Sequence, residues 1–172
     1  PWGTYLTCEE NFNGYFGISG QPENWDRTDG FKRYGVGNKG RYAYEAFDPR
    51  FDLSQNPNEP NRFGYIVEID PTDPDSMPVK RSALGRFKHE NAEATLAVDG
   101  RVVVYMGDDE RGEFMYKYVS NGVYQPGGPT DGLLDDGTLY AAKFYDNGTG
   151  EWLALTPEST GMDAAEILIH TR

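Results

Sequence analysis

Three short acidic stretches carry the residue types that could do chemistry. The first is Cys8-Glu9-Glu10, which holds the only cysteine. The second is Lys88-His89-Glu90, with Glu93 just beyond, and the third is Asp108-Asp109-Glu110-Arg111. A thiol beside carboxylates is a poor nucleophile, because nearby negative charge raises its pKa and suppresses the thiolate. With one cysteine, no disulfide can form within the chain. If the three stretches meet, several carboxylates and a thiol share one site, and they cannot all stay ionised without cations. Carboxylate oxygens suit hard ions such as calcium, and a thiolate prefers a softer or transition metal. A bound metal would also deprotonate Cys8, which makes the thiol a ligand candidate rather than a nucleophile.

Each stretch also has a plainer reading. Glu9 and Glu10 can be a solvated strand end, and Cys8 a small buried filler. His89 can be a hydrogen-bonded packing residue. GDDERGE has turn composition, and Asp108 could bond its own backbone. Arg111 could clamp a phosphate oxygen in two-point fashion or pair a neighbouring carboxylate, the second being the simpler arrangement.

The elements that must position these residues read as strands. The chain has 172 residues, enough for one domain with a real core, and it is rich in Tyr, Phe and Gly. Strands are expected over 3–10, 63–70, 79–87, 94–98, 101–106, 113–120, 138–145 and 151–155. Asp99-Gly100 is the strongest short hairpin signal among them. A polar stretch from Asn11 to Asn61 is too long for a simple connection, which predicts a structured or functional loop. Over 34–47 strand and helical turns both remain open. Ala165, Leu168 and Ile169 share a helical face in the tail, with Thr160 and Asp163 at its start, which predicts a short helix packed on the sheet. Antiparallel meanders in series point to an all-β protein, part of a β-propeller, with a sandwich or barrel as the competing architecture. Residues 94–155 read as one blade, and 172 residues would supply only part of a ring.

The net charge of −12 repels nucleic acid and anionic membranes and suits multivalent cations. No run of about 18 apolar residues appears, so no membrane-inserting helix is expected. GVGNKG lacks the spacing and ending of a nucleotide-phosphate loop. The chain opens on Pro1, so it is expected to begin within a longer polypeptide.

The stretches PWGTYLTCEENFNGYF, FGYIVEIDPTDPDSMPVKRSALGRFKHENA and VVVYMGDDERGEFMYKYVS resemble the PhoX-type bacterial alkaline phosphatases. The likeness continues through GTLYAAKF, GEWLAL and DAAEILIHTR, and spares only the loop between Trp25 and Pro60. The resemblance implies a six-bladed propeller with a cofactor of iron and calcium, a phosphomonoester substrate, and a periplasmic or secreted location. It implies that Cys8 is an iron-bound thiolate and Glu90 a metal-binding carboxylate. Glu9 and Asp109 would be further metal ligands, and Asp108 or Glu110 could replace Asp109 as the acid that faces inward. A metal-bound oxygen is then the expected nucleophile. The family pattern runs on beyond the HTR tail into an Arg-Pro-Glu segment with a phosphate-contacting arginine. Residues 1–172 are therefore expected to be a fragment of a single propeller domain, with its remaining blades and ligands in further chain. Three rival readings are a non-catalytic, calcium-stabilised propeller that binds partners, a calcium-dependent propeller hydrolase such as a lactonase, and an inactive fragment.

Overall fold

The computed structural model describes residues 2–20 and 25–172. Strands dominate: β1 (Tyr5–Cys8), β2 (Ile66–Ile69), β3 (Val79–Lys80), β4 (His89–Leu96), β5 (Arg101–Asp108), β6 (Met115–Val123), β7 (Gly137–Phe144) and β8 (Gly150–Ala154). The helices are short: α1 (Asp29–Arg33), α2 (Pro157–Thr160) and α3 (Ala164–Ile169). The chain divides into two compact units, Pro1–Glu10 with Tyr65–Arg172, and Asn11–Gly64.

The first unit holds two antiparallel meanders, β1-β2-β3 and β4-β5-β6-β7-β8. Sequence alternation explains the second sheet. In β6, Tyr116, Tyr118 and Ser120 are buried while Lys117 and Val119 are less so, the period of two that a pleated strand imposes. Val102, Val103, Val104 and Met106 are the buried residues of β5. Val102, Val104 and Met106 form one core with Ile66, Leu84, Phe87 and Leu139, each such side chain contributing about 1.5–3 kcal/mol on burial. The expected hairpin at Asp99-Gly100 forms, but as a three-residue loop. Ala97 N–H donates to Arg101 O at 2.9 Å, and Gly100 takes φ +85°, which glycine adopts without strain.

Three expectations change. The strand over 79–87 is only two residues long. The Arg81 N–H still donates to Ile66 O at 2.8 Å while its side chain pairs with Glu68 and Asp135, and then a 3-10 turn at Ser82–Leu84 and Gly85 at φ +89° end the strand. Lys88-His89-Glu90 therefore lies where β4 opens, five residues before the expected start at Ala94. The tail is two helices rather than one. Gly161, at φ +72°, ends α2, and Asp163 starts α3 with a capping box to Glu166. Ile167 and Ile169 are the half-buried residues of α3, whereas Ala165 and Leu168 are exposed.

The second unit is the expected structured loop. It consists of short 3-10 turns and α1 around a core of Phe12, Phe16, Tyr34, Val36, Leu53 and Phe63. Over 34–47 the helical alternative holds, with a 3-10 turn at Tyr44–Ala46. Asp52, fully buried, is its polar hub. It accepts from Ser19 Oγ at 2.5 Å, Ser54 Oγ at 2.7 Å, Gln55 Nε2 at 2.8 Å and Ser54 N–H at 3.0 Å. Gly64 closes the unit at φ +96°, where a Cβ would lie 2.6 Å from the Phe12 ring.

Candidate functional site

The three acidic stretches of the first unit sit at strand ends. Cys8 is the last residue of β1, opposite Ile66 of β2, and is half-buried against the core. Burial raises its thiol pKa above the ordinary value, and the charge of Glu10 raises it further. The thiol is therefore held protonated, as its neighbours in the sequence predict. Glu9 lies one residue beyond the strand. Its carboxylate accepts the Tyr65 N–H at 3.1 Å and pairs with Lys80 Nζ at 2.7 Å.

Glu90 owes its place to a fault in the ladder. His89 pairs with Asp108 and Asn91 with Gly107, so the register shifts at Glu90. Such a bulge re-aims one side chain at a sheet margin, and Glu90 is exposed. His89 takes the plainer role. It is fully buried, its Nε2 lies 3.0 Å from Gly85 O, and its ring stacks on Phe87 at 3.6 Å between centroids. Burial pushes its pKa down to about 3, against the hydrogen bond to Gly85, so the ring is neutral.

The GDDE turn is tied on two sides. Asp109 N–H donates to Lys88 O at 3.0 Å, and Glu110 N–H donates to Asp108 Oδ1 at 3.1 Å. The Asp108 side chain is fully buried, with Arg172 Nε 3.1 Å from its Oδ2. Burial pushes the Asp108 carboxyl above its usual range, and the Arg172 charge opposes that shift. Glu110 pairs with Lys88 at 2.6 Å and with Arg172 at 3.1 Å. Lys88 and then Arg172 hold Glu110 down to about 2. Glu113 adds a longer contact to Arg172 at 3.8 Å. Arg111 is exposed and makes no ion pair among the described residues, so the expected local pair does not form.

The structure thus brings Asp108 and Glu110 together, through a residue the sequence reading passed over. Arg172 belongs to the tail, and nothing in its local sequence marks it. The available signal was indirect: a dense acid run needs compensating cations, and HTR supplies one. Lys80 was missed in the same way, and Lys88, named in the second stretch, was given no pairing role there. Cys8 and Glu9 share the end of β1, while Glu90 and Asp109 lie at the paired ends of β4 and β5. Among the described residues, no three His, Cys, Asp or Glu side chains are grouped to hold a metal ion. The donor types themselves suit hard and transition metals.

A second buried network in this unit is structural. Glu68 accepts from Trp2 Nε1 at 2.8 Å, Thr4 Oγ1 at 2.5 Å and Arg81 Nε at 2.7 Å. Arg81 also reaches Asp135 at 2.5 Å. Burial alone would raise the Glu68 pKa, but the bonds from Thr4, Trp2 and Arg81 lower it.

Comparison with known proteins places these features. The family described as "Alkaline phosphatase PhoX" matches residues 1–172. No curated protein matches. A solved structure, "Pseudomonas fluorescens PhoX in complex with vanadate, a transition state analogue", is 50% identical and superposes with a TM-score of 0.89. The match covers 100% of this chain and 32% of that one, so the chain spans about a third of its solved relative. The two antiparallel meanders are accordingly part of a β-propeller. With its whole length matched and half its residues shared with a solved member, the chain belongs to the PhoX alkaline phosphatase family.

Proposed function

We propose that this chain is part of an alkaline phosphatase that hydrolyses phosphate monoesters at an iron and calcium centre. The carrying observation is the 50% identity, over all of this chain, to a PhoX structure that holds vanadate. In this reading Cys8, Glu9, Glu90 and Asp109 hold the ions together with donors elsewhere in the enzyme. Asp108 and Glu110 brace the turn between them. Bound ions would neutralise the phosphate charge and stabilise the charge that builds on its equatorial oxygens.

The residues present do the preparatory work. Lys80, Lys88 and Arg172 keep neighbouring carboxylates compensated. Burial and Glu10 hold the half-buried Cys8 protonated, and a bound cation there would favour its thiolate. The bulge leaves Glu90 accessible at a sheet margin. The antiparallel meanders support part of a propeller; a six-bladed ring completed by further chain and a periplasmic or secreted location belong to the same proposal.

The test uses the full-length enzyme with Cys8→Ser. Bound iron, by elemental analysis, should fall well below the wild-type level, and p-nitrophenyl phosphate turnover should drop about a hundredfold or more, since losing an outer-shell partner of a ligand alone costs about 10–100-fold. Wild-type iron and turnover in that variant would remove the thiol from the centre. A wild-type enzyme with calcium-dependent stability but no turnover would favour a binding module instead.

A further inference from the structure

The tail that ends in HTR is anchored at several points. Tyr65 Oη donates to Leu168 O at 3.0 Å, and Arg86 donates through a guanidinium N–H to Ile169 O at 3.0 Å. The Arg86 backbone N–H donates to Thr171 Oγ1 at 2.9 Å, and Thr171 Oγ1 donates to Ile167 O at 2.9 Å. Arg86 is itself buried at 2% exposure. The residue that follows these anchors, Arg172, has a fully buried side chain facing three acids of one turn, Asp108, Glu110 and Glu113. Glu110 is bridged in turn by Lys88, whose backbone carbonyl accepts the Asp109 N–H.

These contacts form a closed circuit. The tail grips Arg172, and Arg172 grips the residues on both sides of Asp109. Through Lys88, the turn is joined to the start of β4, two residues before Glu90. The anchoring also reaches the first stretch, because Tyr65, which bonds the tail, donates its N–H to the Glu9 carboxylate. A guanidinium spreads its charge over several nitrogens, so Arg172 faces Asp108 through Nε and Glu110 through Nη2 at once, a spread that a compact ammonium lacks.

We infer that Arg172 is a positioning residue: it clamps the Asp108–Glu110 turn so that Asp109 is held against the strand that carries Glu90. The functional half of this inference rests on the phosphatase reading above; the clamp itself does not. In this reading Arg172 acts through the turn rather than on substrate. It acts by removing freedom from a turn that leaves the ladder after the His89–Asp108 pair and is tied back through the Asp109 N–H to Lys88 O.

Two variants of the full-length enzyme test it, Arg172→Met, which keeps length without charge, and Arg172→Lys, which keeps charge without the spread. Hydrogen exchange should speed about tenfold or more across residues 107–114 in Arg172→Met, with a smaller change in Arg172→Lys. The same order should appear in turnover: kcat down about tenfold or more in Arg172→Met, KM within about twofold, and partial recovery in Arg172→Lys. Unchanged exchange over 107–114 in a folded Arg172→Met overturns the clamp. Faster exchange with wild-type kcat overturns the positioning role. If the wild-type enzyme shows no turnover, the proposed function is what fails, and the exchange measurement decides the clamp alone.

Discussion

Glu68 and Cys8 show how differently one buried polar group can be handled. Glu68 is 7% exposed and has hydrogen-bond donors from Trp2, Thr4 and Arg81. Replacing it by Ala leaves the Arg81 guanidinium, itself largely buried, without its main counter-charge. The expected cost is about 3 kcal/mol, readable as a lowered denaturant midpoint with unchanged slope. Cys8 has no such compensation, and burial with Glu10 keeps its thiol protonated. In metal-stripped protein it should react with a disulfide reagent at pH 7.5 about tenfold more slowly than a solvent-exposed cysteine, whose ordinary pKa is about 8.5. Equal rates would mean the thiol is exposed or its pKa is normal.

Among the elements, the second unit depends on one carboxylate. Burial alone would raise the Asp52 pKa, but the bonds from Ser19, Ser54 and Gln55 overcome it and bring it well below the usual range. A depressed carboxyl contributes stability above its unfolded pKa and loses it as pH falls toward the folded one. That loss should therefore begin below about pH 4. Exchange protection of 11–64 should drop over that range in the wild type and stay flatter in Asp52→Asn. Asp52→Ala should cost the unit on the order of 3 kcal/mol, since several donors lose a charged acceptor. These arrangements were only partly legible in the sequence. Period-two alternation marked most strands, because side chains on a pleated strand must face alternate ways. It misjudged 79–87, where a 3-10 turn at Ser82–Leu84 and Gly85 at φ +89° break the strand. It missed Arg172 because an ion pair across 62 or more positions leaves no local pattern. The acidic stretches themselves were visible, because their composition demands cations wherever they lie.

For the molecule as a whole, the −12 charge is the dominant long-range feature. If phosphomonoesters are the substrates, their encounter with this surface is opposed by like charge. In the full-length enzyme kcat/KM for a dianionic ester should then rise as salt is raised from low ionic strength to ~0.15 M, where the screening length is about 8 Å. A falling value would show that local positive charge at the site outweighs the surface field. The two units bear on this scale too, since each has its own apolar core. Damage to one, as in Asp52→Ala, should leave the core of the other intact.

Where the chain leaves β1 and rejoins β2, Glu9 N–H donates to Tyr65 O at 3.1 Å, so the rungs of that ladder continue across the gap. Everything between is a detour that starts and finishes at one doorstep. Evolution can lengthen, shorten or exchange such a detour without disturbing the strands on either side, because closing it costs little more for a long excursion than for a short one. Diversity in this family would be expected to collect there, leaving the acids at the strand ends where they are.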